Sequence, residues 1–430
     1  MNFNKRNRVI SSYVSIFFFS IIIQTIFPYL LSEKDRNSLT TDFITSYNIT
    51  ANNLLDGQGI NAFYTDNNKI NKSFPNKLLQ VNHPPGYPVI IYAIYVVADF
   101  LNLERINLLK DFETFIYALS SLFIFILLRM FFTFKHCYLA SLIWSIYPFN
   151  LWFSKQPCSE VLFTLLLILS IYYFLKHLER NHFVYLILYS FTISLSIFIR
   201  SIAIFLPFIF LFIYIYKIKI LNNLKPKKTN LIFTILLPYL IISPWILFIS
   251  IENQKFIPMT DSGNTMIISS LSHLVEKNPN NNHVAPKDVR NMINETLKNF
   301  KSSDSNEHEI LKTINYSLFN YPIESAKLFL IKFARSFYAT YSKRDENKIF
   351  YLQFFYLLTI ISGLIISKSI KSLYSIFSIL FLFYSITICI ITFPILRYIV
   401  PSMGFLSIFS AIFFEKIFTT LKDSIYEKTS

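Results

Sequence analysis

The sequence predicts an all-α integral membrane protein with about ten transmembrane helices. Three observations carry this: apolar residues make up 53% of the 430, 47 residues are Phe, and apolar runs long enough to cross a bilayer recur along the chain. A hydrocarbon core of roughly 30 Å needs a helix of about 17–25 apolar residues. Such runs fall near 9–31, 112–132, 137–153, 160–176, 183–199, 201–216, 230–251, 349–367, 372–393 and 398–415. Lipid offers no water to backbone N–H and C=O groups, so each run is predicted to be helical.

The first run follows Lys5, Arg6 and Arg8. It is longer than a signal-peptide core and no A-x-A cleavage site follows, which predicts a retained first helix. The net charge of +15 does not point to nucleic acid, because the cations sit in short clusters between apolar runs and form no single face. Loop lysines of this kind orient a membrane protein. Cys137, Cys158 and Cys389 show neither CxxC nor Cys/His spacing, which argues against a disulfide framework or a zinc site.

Topology turns on the stretch Tyr87 to Leu103, which is just long enough to span. If it only dips into or lies against the membrane, the N-terminus, Arg129/Lys135, Lys176/Arg180, Lys217/Lys219/Lys225/Lys227/Lys228, Lys368/Lys371 and Lys416/Lys422/Lys428 share one face, as the positive-inside rule expects. If it spans, every cluster after the first changes sides. The first arrangement puts both termini in the cytoplasm and gathers residues 32–111, 154–160 and 252–348 outside. An active site is expected there, on the extracytoplasmic side of the plasma (inner) membrane.

The first outer segment has its own pattern. Asp42 follows two capping types, Thr40 and Thr41, and Tyr47, Ala51 and Leu54 recur at helical spacing before Gly57 and Gly59. This predicts a short amphipathic helix with Asp42 at its N-terminal end. His83 then precedes a stiff Pro84-Pro85 pair where the chain returns to the membrane.

The pattern D-x4-Y-x3-A-x2-L-x2-G-x-G from Asp42, then HPPGYP (83–88) and PCSEVLF (157–163), resembles the polyprenyl-phosphate-dependent glycosyltransferases of the GT-C superfamily. The protein O-mannosyltransferase and lipid A 4-aminoarabinose transferase branch, glycosyltransferase family 39, is the most similar. FIRSIAIFLP (198–207), SPW (243–245), FIPMTDSGN (256–264) and RYIVPS (397–402) follow in matching order. The resemblance implies juxtamembrane helices in the first outer loop, which is what the lysine clusters independently require. It also implies transfer of a sugar from a polyprenyl-phosphate donor to an extracytoplasmic lipid, glycan or protein; a single carboxylate base with a good phosphate leaving group suits a direct displacement, which is expected to invert the anomeric carbon.

Such a reaction needs a carboxylate to deprotonate the acceptor and cations to hold the departing phosphate. By resemblance Asp42 is the general base and Glu160 its partner in orienting substrate or a metal, with Tyr47, His83 and Tyr87 among the substrate-binding residues. Arg200 and Arg397 stand in apolar surroundings, where a planar guanidinium suits a phosphate, and Tyr398 adjoins the second. The aminoarabinose transferases carry Glu-Lys where this chain has Asn82-His83. Asn is a poor metal ligand, so a divalent cation stays open, with Asp42 and Glu160 its ligands if one binds; no other cofactor is implied.

Three regions are expected: a membrane module over 1–251 that includes the outer loop 32–111, an outer loop over 252–348, and C-terminal helices with a short cytoplasmic tail over 349–430. The 252–348 loop is predicted to hold helices at 286–300, 307–319 and 322–341. The last is amphipathic, with Leu328, Ile331, Phe333 and Phe337 opposed to Lys327, Lys332 and Arg335, and is expected to lie along the membrane. Two other readings remain, a flippase or transporter of lipid-linked saccharides and a polysaccharide polymerase or ligase. The first usually carries charge inside its helices, and the second does not need Asp42 paired with HPPGYP.

Overall fold

The computed structural model describes residues 3–60, 83–221, 228–260, 263–301, 307–367 and 372–429. Asn82, Lys225, Lys227, Asp261, Ser262, Lys368 and Lys371, singled out above, lie outside the described residues. Among those described, the regular elements are all helical. Eight of the described helices are long and apolar enough to cross a membrane: Val9–Leu30, Arg105–Leu128, Ser159–Arg180, Ser201–Ile218, Thr229–Glu252, Glu346–Ser367, Leu373–Ile391 and Val400–Asp423. The protein is therefore a multi-pass membrane protein.

The other two expected spans are shorter. Phe183–Ile199 is an apolar helix of 17 residues, at the lower end of the spanning range. The run 137–153 is broken into Phe134–Ser145 and Pro148–Ser154. Pro148 has no N–H to continue the preceding ladder, and its fixed φ suits the first turn of a new helix.

The chain divides into two compact units, residues 1–261, 360–377 and 404–430 in the first and 262–359 and 378–403 in the second. In the first unit Ser159–Arg180 is the central helix, 72% buried over its apolar window against 22% for Val9–Leu30. It pairs with Phe183–Ile199 through a tight turn in which Asn181 adopts a left-handed φ of 52°, and it packs on Arg105–Leu128. Trp144, Phe125, Phe174, Tyr189 and Phe210 are wholly buried.

The segment that follows the first helix folds against this bundle. The helix there begins around Asp42, runs as a π-turn over Phe43–Tyr47 and continues as Asn48–Leu55. The cap is Thr40, whose Oγ1 accepts from the Phe43 N–H at 3.2 Å; the Asp42 side chain makes no capping bond. Gly57 and Gly59 stop the helix at φ values of 69° and 81°, a region that disfavours side chains. The stretch after His83 is a 15-residue helix, Gly86–Phe100, and Tyr95 Oη donates to Asn48 Oδ1 at 2.7 Å, joining it to the first. Gly86 is required by crowding: a Cβ there would stand 2.7 Å from the Phe198 carbonyl oxygen.

The second unit holds the helices Gly263–Val275, Lys287–Lys301, Glu307–Asn320 and Pro322–Arg335. Leu274, Val289, Met292 and Ile293 form their core, with Leu328 and Ile331 packed against it. The last helix ends at Arg335, earlier than the expected 341. Two of its three cations turn away from water, while Lys327 stays exposed. Lys332 is buried and donates to the carbonyls of Ile390 and Thr392 at 3.0 and 3.2 Å, and Arg335 makes a two-pronged contact with Glu346 at 2.9 Å on each arm. Phe329, Leu330 and Phe333 are exposed, so the apolar stripe is left uncovered.

Candidate active site

Six of the eight residues singled out from the sequence belong to the first unit, and the structure links five of them by contact. Glu160 stands in the first turn of Ser159–Arg180 and is buried. The residue that precedes this helix is Cys158, whose side chain does not cap it. Ser159 Oγ is used otherwise: it shares a hydrogen bond of 3.3 Å with Tyr47 Oη and lies 3.4 Å from Arg200 Nη1.

Arg200 ends the helix Phe183–Ile199 in an extended conformation, which turns its guanidinium back onto the start of Ser159–Arg180. There it pairs with the Glu160 carboxylate, both side chains being at least 90% buried. A buried ion pair of this kind is held only if each charge has its partner in place.

Tyr47 connects the pair to the segment that follows the first helix. Its ring meets those of His83 and Tyr87 edge-on, with centroids 4.9 and 5.0 Å away. Asp42 lies on the same π-turned helix, half-buried, five residues before Tyr47. Thr40 Oγ1 donates to the Pro157 carbonyl at 3.1 Å, so the residues flanking Asp42 are tied to the turn that leads into Glu160.

That turn is itself clamped. Lys155 is buried, donates to the Asp35 carbonyl at 2.5 Å and to Ser38 Oγ at 3.0 Å, and sits over the Trp152 ring. Burial pulls its ammonium down to about 8.

One site residue was missed in the sequence. Glu113 lies inside Arg105–Leu128 with no exposed surface, and Tyr87 Oη donates to its Oε1 at 2.6 Å while Oε2 has no hydrogen-bond partner among the described residues. Burial, then the Glu113 charge, pushes the Tyr87 hydroxyl well above its usual range, so it stays a proton donor. The signal was available: an acid within an apolar run marks function by default.

Arg397 and Tyr398 form the 3-10 turn Leu396–Tyr398 before Val400–Thr429 and belong to the second unit. Leu396 N–H donates to the Ala339 carbonyl at 2.9 Å, which anchors that turn. Two cavities of about 540 and 470 Å³ are lined by other residues than these.

A cation would not fit well at the carboxylates, since Glu160 is engaged by the Arg200 guanidinium. Among the described residues no group of three or more His, Cys, Asp or Glu side chains is placed to hold a metal ion.

The sequence profile of the dolichyl-phosphate-mannose-protein mannosyltransferase family matches residues 82–248, from Asn82 to Phe248 and so through His83, Tyr87, Glu160 and Arg200. No curated protein matches the chain. Among solved structures, the oligosaccharyltransferase AglB of Archaeoglobus fulgidus in complex with an inhibitory peptide and a dolichol-phosphate superposes with a TM-score of 0.57 at 12% identity, covering 100% of this chain and 52% of that one. The apo crystal structure of the Archaeoglobus fulgidus oligosaccharyltransferase gives 0.55 at 12%, covering 96% and 52%. The form tethered to an acceptor peptide containing the NVT sequon gives 0.52 at 11%, covering 95% and 50%. The chain thus spans about half the length of these structures. Its fold is similar to that of these oligosaccharyltransferase structures.

Proposed function

We propose that the protein is a membrane glycosyltransferase that moves a sugar from a polyprenyl-phosphate donor to a lipid, glycan or protein acceptor on the extracytoplasmic side. The observation that carries this reading is the buried Glu160–Arg200 pair joined through Ser159 to Tyr47, His83 and Tyr87. Two helices of a membrane bundle and two juxtamembrane helices meet there, and all of these residues except Tyr47 lie within the segment matched by the mannosyltransferase profile.

In this reading Arg200 receives the donor phosphate, and Glu160 holds the Arg200 guanidinium in orientation. A phosphate leaves as a stable anion, so leaving-group protonation is not needed. Asp42 takes the proton of the acceptor as its oxygen or nitrogen attacks the anomeric carbon, and one direct displacement inverts that carbon. Glu160 acts on Arg200 rather than on a cation, which revises the role expected from the resemblance. Arg397 and Tyr398 are proposed as further substrate-binding residues.

The test is a reconstituted reaction: purified protein in lipid nanodiscs, polyprenyl-phosphate sugars bearing a labelled sugar, and extracts of cell-envelope acceptors. Labelled acceptor should accumulate together with free polyprenyl phosphate, and the product anomer should be opposite to the donor's. Movement of intact donor across proteoliposome membranes with no cleavage would replace this reading with a flippase.

A further inference from the structure

The cavity of about 540 Å³ in the first unit is not accounted for by transfer chemistry. It gathers Arg129, Lys176 and Lys217, which come from three different basic clusters of the sequence, and adds Tyr172 and one acid, Glu179. Ile126, Met130, Leu175 and Leu373 supply an apolar wall.

We propose that this cavity binds the phosphate group of an anionic membrane lipid at the bundle end remote from Glu160. Lys176 lies 16 residues after Glu160 on one continuous helix, roughly 24 Å along its axis at 1.5 Å per residue, which is close to the thickness of a hydrocarbon core. The cavity therefore opens at the level of the other row of headgroups. By the positive-inside reading that row is cytoplasmic.

The charges leave room for an anion. Lys176 Nζ donates to Glu179 at 2.8 Å and Lys217 Nζ to the Leu178 carbonyl at 2.7 Å, each with further N–H bonds to give. Arg129 is exposed, stacks on the Phe134 ring at 5.4 Å and makes no ion pair among the described residues. Three cations against one carboxylate leave a formal surplus of two positive charges around the cavity. A phosphodiester headgroup offsets part of that surplus, and its acyl chains can follow the apolar wall into the bilayer. Basic pockets between transmembrane helices select acidic lipids in this way. A freely dissolved phosphate would share the polar contacts but leave the apolar wall unused.

The experiment compares phosphatidylglycerol with phosphatidylcholine, scored as lipid retained in native mass spectra and as thermal midpoint in mixed micelles. The wild-type protein should retain phosphatidylglycerol preferentially and be stabilised by it. Arg129→Gln, at an exposed position, should weaken that preference about fivefold, and Lys176→Gln should do so similarly, since one cation near a membrane surface is worth about that factor. Lys348→Gln, at a highly exposed site of the second unit, should leave it unchanged. Equal retention of the two lipids, or an unaltered preference in both cavity variants, overturns the proposal. Displacement of phosphatidylglycerol by millimolar inorganic phosphate, with the same stabilisation from phosphate alone, would assign the cavity to a soluble anion and reject a lipid.

Discussion

Breaking the Glu160–Arg200 pair should be costly in a way that removing both members is not. The two side chains are 3% and 10% exposed, so a lone charge left behind cannot recover its hydration. Removing one partner of such a pair typically destabilises by about 3–5 kcal/mol, most of it the desolvation of the survivor. Glu160→Gln and Arg200→Met should each fall near that range, whereas the double variant should lie well below their sum because no buried charge remains. The expected coupling is about 2 kcal/mol or more, above the ~0.5 kcal/mol within which independent sites add. Unfolding free energies from SDS titration in mixed micelles close the cycle. Donor binding is measured on the same four proteins and on Arg200→Lys. Arg200→Lys keeps the charge but loses the planar fork, and loss of a charge-assisted hydrogen bond worth about 1.5–3 kcal/mol weakens binding of a polyprenyl-phosphate sugar roughly 10- to 150-fold. Additive destabilisation would show that the pair is not coupled. Unchanged donor affinity in Arg200→Lys would remove the phosphate from its proposed place.

Asp42→Asn should leave donor binding largely intact and lower turnover by roughly 10²–10⁴, the usual worth of a general base, as read by labelled-sugar transfer. Tyr87→Phe strands the Glu113 carboxylate and should destabilise by about 1–3 kcal/mol in the SDS titration, while Tyr87→Phe combined with Glu113→Gln should recover part of that loss. Gly86→Ala forces a methyl within 2.7 Å of the Phe198 carbonyl and should cost about 1–3 kcal/mol, with Gly57→Ala acting through its positive φ instead. Lys332 has its pKa lowered by burial from 10.5 to about 8, so between those values the unfolded chain binds more protons than the folded one. Stability should therefore rise as pH increases from about 8 towards 10.5, and Lys332→Met should flatten that slope in unfolding midpoints taken across the window.

Much of this protein follows from its sequence alone because the bilayer is an exacting solvent. A span must be long, apolar and helical, so Arg105–Leu128, Ser159–Arg180 and six others announce themselves by composition. The motifs likewise named Tyr47, His83, Tyr87, Glu160 and Arg200 before any contact between them was visible. Tertiary structure decided what these residues do to one another. That Arg200 turns back onto Glu160 depends on where Phe183–Ile199 ends, and that Ser159 serves Tyr47 rather than a helix cap depends on how the segment after the first helix lies on the bundle. The break at Pro148, the inward turn of Lys332 and the burial of Glu113 against Tyr87 were decided the same way. Hydropathy reports only whether a side chain would rather leave water. It does not say which partner satisfies a polar group once water is gone, because that partner comes from a distant part of the chain, brought near only when the helices pack.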